Sequence, residues 1–259
     1  MLRIAAVVLL LVAAAAEPGV TQVETGFLDR TVTLEGLRLR YQVYVPSNYS
    51  DTQEWPVILF LHGSGERGAD GLRQTVVGLG PAVRADPGRF PAIVIFPQAP
   101  ADSSWTGVPA RAAMAALDAV LREFHTDANR VYLTGLSMGG HGVWYLAYRH
   151  PDRFAAVAPV CAWISTLPAF RGRAPVVPGE GSPFEAVARQ LREVPIWIFH
   201  GELDGDVPVS ESRDAAAALE AAGGDVRYTE LLGTSHNAWD PTYASVAFTD
   251  WLFAQRRPR

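Results

Sequence analysis

Two five-residue stretches, Val57-Ile58-Leu59-Phe60-Leu61 and Ala92-Ile93-Val94-Ile95-Phe96, carry no polar side chain. A strand with one wet face alternates apolar and polar residues. An unbroken apolar run of this length, bounded by turn residues, points to a strand covered on both faces. Further strands are expected at 131–134, 154–160, 195–199 and 226–231. Helical spacing of Ala, Leu and Met is expected to give helices at 111–124, 140–148, 210–222 and 242–254. Ser210 is placed to cap the third of these, and Gly223-Gly224 to close it. Upstream, 31–39 and 41–45 read as an antiparallel hairpin turning at Glu35-Gly36. Strands that alternate with helices require a mostly parallel sheet with helices on both faces, an α/β architecture.

Ligands of such sheets bind at the carboxyl ends of the strands. The loops after Leu61, Phe96, Thr134, Phe199 and Leu231 are therefore where chemistry is expected. The third holds Gly135-Leu136-Ser137-Met138-Gly139, a G-x-S-x-G pattern between an expected strand and an expected helix. That context lifts a serine oxygen clear of the sheet on a sharp turn, with glycines removing the Cβ atoms that would clash.

A serine hydroxyl is a poor nucleophile until a base takes its proton, and histidine is the natural base near neutral pH. The chain has six histidines. His62 lies in the loop after the first buried strand, His125 ends a helix and His150 precedes Pro151. His141 lies inside the helix that follows Ser137 and is directed away from it. His200 closes a strand and shapes the next turn. His236 remains, between the last strand and the last helix. An acid must fix the tautomer of that base. The turn His200-Gly201-Glu202-Leu203-Asp204-Gly205-Asp206 offers Asp204, with Asp206 as the alternative. For the oxyanion, one donor is expected from the Met138 backbone N–H. The other is expected from the Ser64 N–H in the Gly-rich loop His62-Gly63-Ser64-Gly65-Glu66-Arg67-Gly68. That loop lacks the lysine of a phosphate-binding frame. No metal-ligand cluster or cofactor motif is visible, so none is assigned.

Four segments carry a family resemblance: Leu61-His62-Gly63-Ser64-Gly65-Glu66-Arg67-Gly68, Thr134-Gly135-Leu136-Ser137-Met138-Gly139-Gly140, His200-Gly201-Glu202-Leu203-Asp204 and His236-Asn237-Ala238-Trp239-Asp240. They resemble the esterase and dienelactone-hydrolase-like branch of the α/β hydrolases. That branch is often labelled predicted peptidases and has feruloyl esterases and polyhydroxybutyrate depolymerases among its relatives. The chain order Ser, Asp, His is that of the superfamily. The resemblance implies the α/β-hydrolase fold and a serine carboxylesterase, with a serine peptidase as the alternative. It also supports Asp204 as the acid.

Between the strand ending at Val160 and the one beginning at Pro195 there is room for little beyond one short helix, and 171–179 reads as a Pro- and Gly-rich loop. A site without a helical lid is expected to be open. Trp105, Trp163 and Trp239 lie in loops near the strand ends and are expected to wall it, suiting short acyl or aryl esters, free or on polysaccharide.

The first 16 residues stand apart from this fold. One arginine, an apolar run over 4–12 and Ala13-Ala14-Ala15-Ala16 have the layout of a signal peptide, cleaved after Ala16. The expectation is a leader over 1–16, one catalytic domain over 17–259, and a secreted or periplasmic protein with no stable membrane insertion. An uncleaved anchor is the competing reading. The single cysteine, Cys161, cannot form an internal disulfide and is expected to be a buried structural thiol. A net charge of −5 with no basic run gives no electrostatic case for nucleic acid.

Overall fold

A computed structural model of the chain describes residues 23–170 and 174–258. The expected leader and residues 171–173 of the Pro- and Gly-rich loop lie outside the described residues. Among these residues one sheet holds β1 (Gly26–Leu34), β2 (Leu37–Val45), β3 (Trp55–Leu61), β4 (Ile93–Pro97), β5 (Thr126–Leu136), β6 (Ala156–Val160), β7 (Ile196–Gly201) and β8 (Val226–Leu231). Their order across the sheet is β1-β2-β4-β3-β5-β6-β7-β8. β2 runs antiparallel to both β1 and β4, and every pairing among β3 to β8 is parallel. The hairpin turns where expected: Glu35 and Gly36 both have positive φ, +49° and +80°. That is the backbone a two-residue turn needs to match the strand twist.

The unbroken apolar runs have the reason expected of them. Val57, Leu59 and Leu61 face one core, while Ile58 and Phe60 face a second on the other side of the sheet. Ile93 and Ile95 join the first core, Val94 and Phe96 the second. The first core is covered by α2 (Gly107–Glu123), α3 (Met138–Arg149), α4 (Pro183–Leu191) and α5 (Ser210–Ala221). The second is covered by α1 (Leu79–Ala85), α6 (Trp239–Ala244) and α7 (Val246–Ala254). Each fully buried side chain of the size of Phe60 or Leu59 stabilises the fold by roughly 1.5–3 kcal/mol. No helix of the described residues is long and apolar enough to cross a membrane.

The sequence reading is corrected in several places: β1 begins at Gly26 and β5 at Thr126, each five residues earlier than expected, and α1 was not expected. The helix expected over 242–254 is two helices, because Ser245 has extended backbone and its Oγ accepts the Phe248 N–H, starting α7 afresh. Ser210 is the first residue of α5 and not its cap; Val209 holds that position, with no side-chain cap. The only helix between β6 and β7 longer than one turn is the nine-residue α4, among the described residues. It packs onto α5 and α3 through Val187, Ala188 and Leu191, and so belongs to the body of the protein.

Candidate active site

Because β3 to β8 are parallel, the residues that follow them gather at one edge. Ser137 sits between β5 and α3 with φ +52° and ψ −117°. A non-glycine residue held there costs on the order of 1–3 kcal/mol and persists only when its surroundings enforce it. The enforcement is visible. The Ser137 N–H donates to Val160 O at 2.9 Å, and the Ser137 carbonyl accepts the His141 N–H at 3.0 Å. A Cβ at Gly139 would lie 1.9 Å from the Leu61 carbonyl oxygen, and one at Gly135 would lie 2.6 Å from the same atom. Only glycine at these two positions lets the turn press against β3. Met138 opens α3, where a helix makes no internal bond for its N–H, so that donor lies beside the Ser137 oxygen's attachment point.

His236, beyond β8, brings its Nε2 to 2.9 Å from Ser137 Oγ and its Nδ1 to 2.7 Å from Asp204 Oδ2. A carboxylate can only accept, so the Nδ1–H donates to Asp204. Nε2 is left to accept the Ser137 hydroxyl proton. The Asp204 side chain has no exposed surface and that of His236 is 20% exposed. Asp204 Oδ1 accepts the N–H groups of Asp206 and Val207, both at 2.9 Å. Its Oδ2 also lies 3.1 Å from His200 Nε2. Burial opposes ionisation of Asp204, but the hydrogen bonds from His200, His236 and the Val207 amide outweigh it. Together they hold the carboxyl well below the usual carboxylate range. Asp206 is exposed and meets Asp204 through its own amide; of the two aspartates, Asp204 is the one brought to His236.

The loop after β3 abuts this turn. A Cβ at Gly63 would lie 2.8 Å from Leu136 Cδ1, the residue before Ser137. Ser64 follows, opening a single 3-10 turn, Ser64–Glu66. His62 fixes the loop from below: its Nδ1–H donates to Gly63 O at 2.6 Å and its Nε2 accepts the Ala99 N–H at 3.0 Å.

The expected aromatic walls need correction. Trp105 is fully buried, donates its indole N–H to His62 O at 2.9 Å and stacks edge-on against His62. It braces the loop from inside. Trp163 is 2% exposed and stacks on His141 at 4.7 Å, so it too packs inward. Trp239 is half-buried and meets the His236 ring edge-to-face at 5.4 Å, so it lies against the Ser137–His236–Asp204 group.

Two residues at the site were not expected there. Cys161 is buried, as the sequence suggested, but its Sγ and the ligand atoms of Asp204 and His236 lie within 4.8 Å of one another. It has φ +42°, and burial pushes its thiol well above the ordinary range. His200 was read as a turn former; it also reaches the carboxylate of Asp204. Its place at a strand's carboxyl end, four residues before Asp204, was the available signal.

The sheet order, the helices on both faces and the serine on the β5–α3 turn are those of the α/β-hydrolase fold. The Esterase family model matches residues 114–239, a span that holds Ser137, Asp204 and His236. The crystal structure of a thermostable esterase is similar with a TM-score of 0.77 and 33% identity, over 89% of this chain and 63% of that one. A CE1 ferulic acid esterase from Anaeromyces mucronatus superposes with a TM-score of 0.62 at 15% identity, covering 88% of this chain and 90% of that one. The acylaminoacyl peptidase of Pyrococcus horikoshii does so at 0.64 and 17%, covering 88% and 40%. At such identities these two likenesses speak for the fold alone. An uncharacterized secreted protein of Arthroderma benhamiae is 27% identical over 137 residues, 46% of this chain and 14% of that protein. The chain thus spans less than two thirds of the thermostable esterase and a small part of the fungal protein. It has the α/β-hydrolase fold, and its resemblances lie among esterases.

Proposed function

We propose that this protein is a serine carboxylic-ester hydrolase working through an acyl-enzyme, with Ser137 as nucleophile, His236 as general base and Asp204 as the orienting acid. The observation that carries the reading is the relay Ser137 Oγ to His236 Nε2 at 2.9 Å and His236 Nδ1 to Asp204 Oδ2 at 2.7 Å, hung on a strained strand–helix turn. Ser137 Oγ attacks the ester carbonyl while its proton passes to His236 Nε2. The negative charge that develops on the carbonyl oxygen is met by the Met138 and Ser64 N–H groups. His236 then gives its proton to the departing alcohol. A water molecule, deprotonated by His236, attacks the acyl-enzyme, and the carboxylic acid leaves as Ser137 takes a proton back. The buried Asp204 charge stabilises the imidazolium formed in each half.

The substrate reading is a short acyl or aryl ester, free or attached to polysaccharide. Trp239 beside His236 offers one aromatic surface, and the short, body-packed α4 argues for an open site. The domain reading is a leader over 1–16 followed by one catalytic domain over 17–259. The localisation reading, secreted or periplasmic, rests on that leader and agrees with the secreted fungal relative.

Steady-state hydrolysis of matched p-nitrophenyl esters and acyl-amino-acid p-nitroanilides tests the reaction class. The account expects ester kcat/KM to exceed anilide kcat/KM by more than the intrinsic reactivity difference of the two bonds. Preferential cleavage of the anilides would instead support a peptidase of the same fold.

A further inference from the structure

We propose that His200 and Ser212 form a second, buried relay behind Asp204, which makes His200 a positioning residue for the catalytic acid. The inference rests on the reading of Asp204 as that acid and names what sets its strength.

The argument starts from lone pairs. Each oxygen of Asp204 has two directions in which to accept. On Oδ1 both are taken by the Asp206 and Val207 amides. On Oδ2 one is taken by His236 Nδ1–H at 2.7 Å and the other by His200 Nε2 at 3.1 Å. His200 has no exposed surface, so its ring must satisfy both nitrogens inside the protein. Its Nε2 faces two acceptors, Asp204 Oδ2 and the Val207 carbonyl, each at 3.1 Å. A bare lone pair between two oxygens would be repulsive, so Nε2 carries the proton. Nδ1 is then an acceptor, and the partner it meets is the Ser212 hydroxyl at 2.7 Å, which donates. Ser212, buried in the first turn of α5, thus sets the tautomer of His200 as Asp204 sets that of His236. The relay runs Ser212, His200, Asp204, His236, Ser137, from α5 to the nucleophile.

Its consequence is chemical as well as spatial. A donor shared onto Oδ2 spreads the charge of Asp204 and weakens its grip on the His236 Nδ1–H. Removing that donor concentrates the charge on His236 and favours the imidazolium. The other groups facing the two rings are Cys161 from the loop after β6, the exposed Asp206 on the same turn as Asp204, and Glu230 on β8, which is bonded to Arg213. Of these, Cys161 and Glu230 keep their partners when His200 is replaced, and so does the Asp206 amide on Asp204.

The test compares His200→Leu, which has no donor, with His200→Gln, whose side-chain amide can still reach Asp204, and with Ser212→Ala. For His200→Leu the expected result is a kcat lower by about 10- to 100-fold with KM within about twofold, and an acidic limb of the kcat/KM profile moved up by about half a pH unit. His200→Gln should recover most of both, and Ser212→Ala should shift the limb in the same direction by less. The low-field proton resonance of His236 Nδ1–H, read without substrate, should move further downfield in His200→Leu and in Ser212→Ala. That reading does not depend on turnover, so it remains informative if the wild-type protein proves not to hydrolyse esters, and it remains available from Ser212→Ala if His200→Leu fails to fold. Equal losses in Leu and Gln variants with the limb and the resonance unmoved would overturn the proposal and leave His200 a packing residue.

Discussion

Acidification should loosen the loop after β3, because His62 enters it uncharged. Its ring is 1% exposed. Nε2 accepts the Ala99 N–H, a group that can only donate, so a proton on Nε2 would set two N–H groups against each other at 3.0 Å. Glu66 Oε2, at 4.0 Å from Nδ1, is too far to bond and compensate. Burial, the largest cause, therefore lowers His62 from 6.5 to about 4, against a smaller opposing effect of the Gly63 carbonyl. Between those two values the unfolded chain binds a proton that the folded chain does not. Stability from this residue is complete above the unfolded value of about 6.5 and is lost as pH falls toward the folded value. At about 1.36 kcal/mol per unit the full effect is roughly 3 kcal/mol, of which about 2.5 kcal/mol is gone at pH 4.5. Urea unfolding at pH 7.5 and at pH 4.5 measures the loss, and His62→Gln, which cannot take the proton, isolates it from the titrating carboxylates. The wild-type protein should lose about 2.5 kcal/mol more than the variant between the two conditions. Equal losses, or a His62 ring that titrates near 6.5 by NMR, would refute the argument.

Asp204→Asn should lower kcat by orders of magnitude, since the amide can neither accept as strongly nor stabilise the imidazolium; Asp206→Asn, whose side chain is exposed, should be mild. The reverse ranking in a p-nitrophenyl acetate assay would reassign the acid. Acetate or butyrate esters should be cleaved with a kcat/KM at least about tenfold above the palmitate ester, about 1.4 kcal/mol of transition-state stabilisation. Rates rising with chain length to palmitate would reveal an acyl groove. Protein recovered from the cell envelope or medium should begin at Glu17 by N-terminal sequencing, and an intact Met1 form in the membrane fraction would support an anchor.

The parallel core was legible because a strand buried on both faces leaves a short unbroken apolar run, and its length and flanking turn residues separate it from a buried helix. Val57 to Leu61 feed two cores alternately, so none of the five could be polar. The Ser137, Asp204 and His236 group was legible for a related reason: topology carries every loop of a parallel sheet's carboxyl edge to one place, and few loops held usable chemistry. Direction was not legible. A tryptophan near the site can face the ligand or the core; Trp105 turns inward because its indole N–H finds the His62 carbonyl, a partner that sequence distance hides. The convergence of Cys161 and His200 on Asp204 was hidden likewise, since each lies on a different strand end and only the sheet's register aligns them. The break at Ser245 was readable in principle, serine being a strong N-cap, but the apolar spacing on both sides masked it.

The central claim is that Ser137 is the nucleophile, and labelling with a fluorophosphonate probe beside Ser137→Ala kinetics tests it most directly. Wild-type protein should take one label, recovered by mass spectrometry on the peptide that holds Ser137. Ser137→Ala should remain folded by circular dichroism, take no label, and lose roughly 10⁴-fold or more in kcat. Near-normal ester hydrolysis by Ser137→Ala, or a label on a different serine, would contradict the account.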